Sequence, residues 1–190
     1  YVAGMPMRIF GILAIVGILA APVAWKFALQ DYQKGRISTF LDPEQDARGA
    51  GYQQIQARIT VGSGGVWGKG FTKGTQGQLR FLPVAHNDFI FSVIAEESGF
   101  VGSVIVLTLY GAVLFIGIRI ASQARDRLGK LMAVGVIALL FSHVFINIGM
   151  NIRLMPVTGV PLPLLSYGGS SVLVSLIAVG IMQNVYIHRR

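Results

Sequence analysis

Four apolar runs, over residues 9–29, 89–120, 131–152 and 171–187, constrain what this chain can fold into. A helix needs about 20 mostly apolar residues to cross a bilayer, and lipid offers no partner to an exposed backbone amide. Charged residues make up 13% of the 190 positions, against about a quarter in a soluble domain. The expected fold is therefore all-α, a polytopic integral membrane protein with about four transmembrane helices. The second run is too long for a single crossing. A continuous helix over it would reach roughly 48 Å, so it either projects beyond the membrane or breaks near Gly99, leaving residues 100–120 as the span. Pro22 and Lys26 in the second half of the first run predict a frayed or kinked outer end, with Lys26 snorkelling.

Two segments link these runs on one side. Residues 30–87 form a long polar stretch whose glycine density argues against an independent packed domain, and the expectation is short helices and turns along the membrane surface, one near residues 51–59. Residues 153–169 hold Pro156, Pro161 and Pro163 with Gly159, Gly168 and Gly169, which predicts a rigid, shaped loop. Arg8, then Arg119, Arg125, Arg127 and Lys130, then Arg189 and Arg190 fall on the other side of a four-span topology, and short basic loops mark the cytoplasm. The two longer segments then share the extracytoplasmic face. With Tyr1 at its start and no signal-type leader, the chain reads as the later part of a longer polytopic protein.

The formal charge is +8, spread over loops without a basic helix or an aromatic platform, which suits a membrane surface and an anionic lipid-linked ligand better than nucleic acid. No Cys is present, which excludes thiolate nucleophiles and thiolate metal sites.

Four constellations carry candidate chemistry. Residues 61–76 are rich in Gly and hold Lys69, Lys73 and Gln76. Successive amides there could cradle an anion and the two lysines neutralise a phosphate, or the segment is a solvated loop with interfacial Trp67 and Phe71; P-loop spacing is missing. Asp88, beside His86, sits where polar sequence meets the second apolar run. It reads as a helix N-cap, as a general base, or as both. His86 has no second ligand at metal spacing. Glu96 would lie about 12 Å along a helix from Asp88, too far for a two-carboxylate machine. Glu96 and Glu97 are either paired with Arg or helix ends, or functional. Asn147 and Asn151 share a helix face. Asn147 reads as glue between helices, while Asn151 and Arg153 read as site-wall residues.

In order, these pieces resemble one family. Phe40-Leu41-Asp42-Pro43, Gly51-Tyr52-Gln53, Gly64-Gly65-Val66-Trp67-Gly68-Lys69-Gly70, Gly74-Thr75-Gln76, Phe81-Leu82-Pro83, His86-x-Asp88-Phe89-Ile90-Phe91, Ala95-Glu96-Glu97-x-Gly99 and the segment from Pro156 through Ser166-Tyr167-Gly168-Gly169-Ser170-Ser171 look like the SEDS family of RodA, FtsW and their sporulation relatives. The Gly-Lys-Gly and Gly-Thr-Gln pieces are most similar to the RodA branch.

The resemblance implies the last four spans of a ten-span peptidoglycan glycosyltransferase in the bacterial cytoplasmic (inner) membrane, with its active site on the extracytoplasmic face. It implies lipid II and a nascent glycan strand as substrates during cell elongation and shape maintenance. A class B penicillin-binding protein and other elongation-complex proteins are implied as partners, beside membrane lipids and without nucleic acid. The family's proposed catalytic aspartate falls on Asp88. An acceptor sugar hydroxyl must lose a proton as it attacks an anomeric carbon bearing a lipid diphosphate, and one carboxylate can take it. Lys69, Lys73, Arg80 or Arg153 could balance the leaving diphosphate, and a divalent cation, Mg or Mn, could share that role. Gln76, Glu96 and Ser166 complete the expected substrate-binding set. No nucleotide cofactor is expected, because the donor arrives preactivated. Many relatives carry Glu where this chain has Val84 and Thr where it has Asn87, so an accessory role for that Glu does not transfer. A lipid II flippase or a non-enzymatic scaffold are the rival readings; in the first Asp88 would bind or gate, in the second it would have no chemical task.

Overall fold

A computed structural model describes residues 6–43, 49–74 and 87–189. Every described regular element of three residues or more is helical: α1 (Met7–Phe27), α2 (Asp31–Leu41), α3 (Ala50–Ser63), α4 (Ile90–Gln123), α5 (Arg127–Asn151) and α6 (Gly169–Ile187). Four of them, α1, α4, α5 and α6, are long and apolar enough to cross a membrane.

α1 runs through Pro22 and ends at Phe27, so the frayed outer end expected from that proline is not seen; the Lys26 ammonium lies 5.5 Å from the Phe27 ring centroid. None of its residues is buried, which leaves the whole apolar cylinder facing outward. α2 starts at a capping box, in which the Gln30 amide donates to Gln33 Oε1 at 3.0 Å and the Gln30 side chain returns the favour. α3 buries Gln54, Ala57 and Thr60, which fall three apart on one helical face, and packs that face on α4. α5 starts at Asp126, whose carboxylate accepts from the Gly129 amide at 3.3 Å.

Two apolar clusters stack along the bundle. Ile120, Ala121, Ala133, Val136, Leu140, Ala178, Met182 and Val185 join α4, α5 and α6 at one end. Phe91, Val144, Ile148 and Leu162 join α4 and α5 to the proline-rich loop at the other. A smaller cluster, Ala57 and Phe89 with Val93 and Val157, ties α3 to the start of α4.

Of the two alternatives for the second run, the structure has the break. Gly99 adopts φ 67°, ψ −161° inside α4. A break strands carbonyls on one side and amides on the other, and these need partners at membrane depth. Residues 65–70 supply them. The Lys69 and Gly70 amides donate to the carbonyls of Glu96 and Glu97, both at 3.0 Å, and the Phe100 and Val101 amides donate to the carbonyls of Gly65 and Val66 at 2.9 and 3.2 Å. Backbones this close leave no room for side chains: a Cβ on Gly68 would sit 2.1 Å from the Glu97 carbonyl oxygen, and one on Gly99 would sit 2.3 Å from the Gly68 nitrogen. Neither reading of the glycine-rich segment, an anion cradle or a solvated loop, foresees this approach to a helix end, where the Lys69 and Gly70 amides are spent.

Candidate active site

The break makes residues 90–98 a short helix of their own, and Asp88 lies in the turn that leads into it. Phe89 is the helix N-cap residue, so Asp88 precedes the cap and no side-chain cap bond forms. Of the two roles read for Asp88, the capping one is not realised. Its carboxyl is half-buried, and a Cβ on Gly159 would lie 3.6 Å from Asp88 Oδ2, which sets the proline-rich loop beside it.

The backbone of this turn is fixed by buried amides. Asn147 and Asn151 are fully buried. Asn147 Nδ2 donates to the Asp88 carbonyl at 2.9 Å and to the Val160 carbonyl at 2.8 Å. Asn151 Nδ2 donates to the Asn147 carbonyl at 2.8 Å and to the Asp88 carbonyl at 3.3 Å, while its Oδ1 accepts from the Ser92 amide at 3.2 Å and from the Ser92 hydroxyl. Ser166 Oγ donates to the Asn87 carbonyl at 2.6 Å and accepts from the Leu162 amide at 2.7 Å. Two successive carbonyls, Asn87 and Asp88, are thus held by α5 and the proline-rich loop together. Tyr110 adds a hydroxyl bond to the Pro163 carbonyl.

Arg36 is the functional candidate that the sequence did not single out. It projects from α2 and donates to the carbonyls of Val157 and Thr158 at 3.2 and 3.1 Å. Burial raises the Asp88 carboxyl above its ordinary value of 3.8, and the Arg36 guanidinium pulls it back towards ionisation. Nothing in the residues around Arg36 forms a motif, and its partners lie more than a hundred positions away, so only the fold reveals it.

The other expected site residues separate into groups. Lys69 Nζ lies 2.7 Å from Glu96 Oε1, with Glu96 fully buried. For a paired Glu96 the sequence predicts an arginine or a helix end as the partner; the structure supplies a lysine from the glycine-rich segment instead. The Thr72 amide donates to Glu97 Oε1 at 3.2 Å. Lys73 is exposed in the same segment. Arg153 is half-buried just past α5, with a left-handed φ of 61°. Asn151 and Ser166, expected on the substrate side, are buried and act on the backbone behind Asp88. Gln76, Arg80, His86 and Val84 lie outside the described residues.

A groove of about 1070 Å³ opens beside the turn, running from Ile90 past Tyr167 and along Val172, Leu173, Leu176 and Ile177 of α6. Its walls are mostly apolar, so it suits a hydrocarbon chain. Among the described residues, no group of three His, Cys, Asp or Glu gathers as a metal cage.

The sequence model of the FtsW/RodA/SpoVE family, described as "Cell cycle protein", matches residues 1–190. The chain is 46% identical over 190 residues to "Peptidoglycan glycosyltransferase MrdB" of Escherichia coli (strain K12), covering 100% of this chain and 51% of that protein. It is 46% identical over 157 residues to "Peptidoglycan glycosyltransferase RodA" of Treponema pallidum (strain Nichols), covering 83% of this chain and 36% of that one. A solved structure described as "Structural coordination of polymerization and crosslinking by a peptidoglycan synthase complex" matches with a TM-score of 0.76 and 33% identity, covering 98% of this chain and 51% of the other. The chain spans about half the length of its MrdB relative and of this solved chain.

Proposed function

Because the chain belongs to the FtsW/RodA/SpoVE family of cell cycle proteins and is a polytopic membrane protein, we propose that it forms half of a peptidoglycan glycosyltransferase that polymerises lipid II during cell elongation, with Asp88 as general base. The observation that carries this reading is the Asp88 turn: a half-buried carboxyl whose backbone is locked from behind while its side chain stays on the loop side. Relatives named as peptidoglycan glycosyltransferases at 46% identity support the reaction class.

In the proposed step the acceptor sugar hydroxyl attacks the anomeric carbon of the donor. The new glycosidic C–O bond forms as the C–O bond to the lipid diphosphate breaks, the hydroxyl proton passes to Asp88, and the diphosphate leaves with the bonding pair. Arg36 is a nearby cation that keeps Asp88 ready to accept that proton. The exposed Lys73 and the half-buried Arg153 are the described cations for the diphosphate, with Arg80 beside them in sequence terms; Lys69 is bound to Glu96. The apolar groove along α6 would take the polyprenyl tail. Mg or Mn would enter with the substrate diphosphate, as such ions commonly do with one or two carboxylates, and no step here depends on it.

The reading extends to a bacterial inner-membrane location with Asp88 on the extracytoplasmic face, a class B penicillin-binding protein as partner, and other elongation-complex proteins around them. The full-length protein with its partner should polymerise lipid II, and Asp88→Ala and Asp88→Asn should abolish polymer while the complex stays intact. Undiminished polymer from both variants would remove Asp88 from the chemistry. Wild-type complex that makes no polymer but moves lipid II across a membrane would replace the enzyme with a flippase.

A further inference from the structure

At the end of the bundle opposite Asp88, α4 and α6 leave a crevice of about 380 Å³ between them. Two guanidinium groups, Arg119 and Arg189, and two primary amides, Gln123 and Gln183, line it over a floor of Ile116 and Ile120. None of its lining residues is acidic.

The arginines are preorganised. Arg189 lies 3.9 Å from the Tyr186 ring centroid and donates to Gln123 Oε1 at 2.7 Å, and Arg119 lies 5.6 Å from the Phe115 centroid. A guanidinium laid on a ring keeps its planar fork free for an oxyanion and loses little further freedom on binding one. The turn between α4 and α5 adds Arg125, Arg127 and Lys130 to the same end of the bundle. The nearest acid in sequence, Asp126, is occupied in capping α5. Helix C-termini disfavour an anion, so the arginines must supply the attraction themselves. The exposed faces of Ile116, Leu109 and Ile105, at helical spacing on one side of α4, continue from the crevice along its membrane-spanning part. A soluble anion has no use for that apolar strip, whereas an acyl chain does.

We infer that this crevice binds an anionic phospholipid, with Arg119 and Arg189 on the phosphate oxygens, the two glutamines on head-group hydroxyls, and an acyl chain along Ile116 and Leu109. The site is remote from Asp88 and stands independently of the proposed reaction.

The test places the full-length protein in nanodiscs of phosphatidylcholine doped with phosphatidylglycerol and reads retained lipid by native mass spectrometry. Wild type should keep a phosphatidylglycerol adduct. Arg119→Gln/Arg189→Gln should reduce it roughly 10-fold more than Arg125→Gln/Arg127→Gln, which removes the same charge outside the crevice and loses only the diffuse surface attraction, whereas the crevice pair also loses its charge-assisted hydrogen bonds. Arg119→Lys/Arg189→Lys preserves charge and should still weaken retention, because an ammonium makes no bidentate fork; it also decides the matter if the glutamine pair does not fold. Equal losses in the crevice and control variants, or full retention in the crevice variants, would overturn the site. Displacement of the adduct by excess inorganic phosphate would overturn the lipid as its ligand.

Discussion

Asn147 holds the backbone carbonyl of Asp88 at 2.9 Å and that of Val160 at 2.8 Å with the same side-chain nitrogen. The turn bearing the candidate base and the loop beside it are therefore joined through one buried amide. Asn147→Ala strands the Val160 carbonyl and leaves Asp88 with only the longer Asn151 bond. The expected cost is about 1–3 kcal/mol of stability. Displacement of the carboxylate should slow polymerisation about 10- to 100-fold, with the partner protein still bound. Thermal unfolding and lipid II polymerisation of the same preparation check both, and wild-type rates in a destabilised Asn147→Ala would show that the latch does not position Asp88.

Asp88 should show opposite signs in activity and stability. Its carboxyl titrates above 3.8 because burial disfavours the charge, with Arg36 opposing. In the proposed reaction Asp88 must be ionised to take the proton, so polymerisation should fall on acidification through that raised value, and Arg36→Gln should move the acid limb to still higher pH. Stability runs the other way: a raised carboxyl favours the native state fully below its unfolded pKa and loses that contribution as pH rises through the folded one. Asp88→Asn should then melt higher than wild type near neutral pH while making no polymer. A lower melting temperature for Asp88→Asn there would contradict the desolvation argument.

The Lys69–Glu96 pair should be costly to halve and cheaper to replace whole. Lys69→Met takes the 2.7 Å ammonium from a carboxylate with no solvent exposure. Because the Lys69 side chain itself keeps 30% exposure, the loss should sit near the low end for a broken buried pair, about 3 kcal/mol. Lys69→Met/Glu96→Met should lose less than Lys69→Met alone. A double-mutant cycle on melting temperatures measures this, and simple additivity would mean that the pair contributes no coupling.

Gly99→Ala and Gly68→Ala should both fail as folded proteins or melt far below wild type, since each Cβ would meet backbone at 2.3 Å or less. Gly111→Ala, which meets nothing within 4 Å on the same helix, should purify and melt like wild type. Detergent-solubilised yield and melting temperature separate the three variants.

The fold was legible where the signal was local. Apolar runs marked the four long helices, while the excess length of the second run left both projection beyond the membrane and a break near Gly99 open, and only the structure chooses the break. Asp88 stood out because polar sequence meets an apolar run there. Its supporting residues did not, because the bonds that define them cross large sequence distances: 59 positions from Asn147 to Asp88 and 121 from Arg36 to Val157. Asn151 and Ser166 were visible as polar residues near the outer end, but sequence could not say whether they faced a substrate or a carbonyl. The glycine-rich segment left its partner open for a related reason. Glycine permits close approach of a backbone without specifying what approaches, and here it is the interrupted end of a helix.

That interruption changes how tilt reaches the site. Membranes vary in thickness by a few ångströms, and a spanning helix responds by tilting. In an unbroken α4 any tilt would sweep the carboxylate through an arc at the helix end. Residues 65–70 bond both flanks of Gly99, the carbonyls of Glu96 and Glu97 before it and the amides of Phe100 and Val101 after it, so the two pieces of α4 are splinted at the break. With Asn147 and Asn151 tying the Asp88 carbonyl to α5, the carboxylate sits on a cross-braced corner and not at the tip of one long rod.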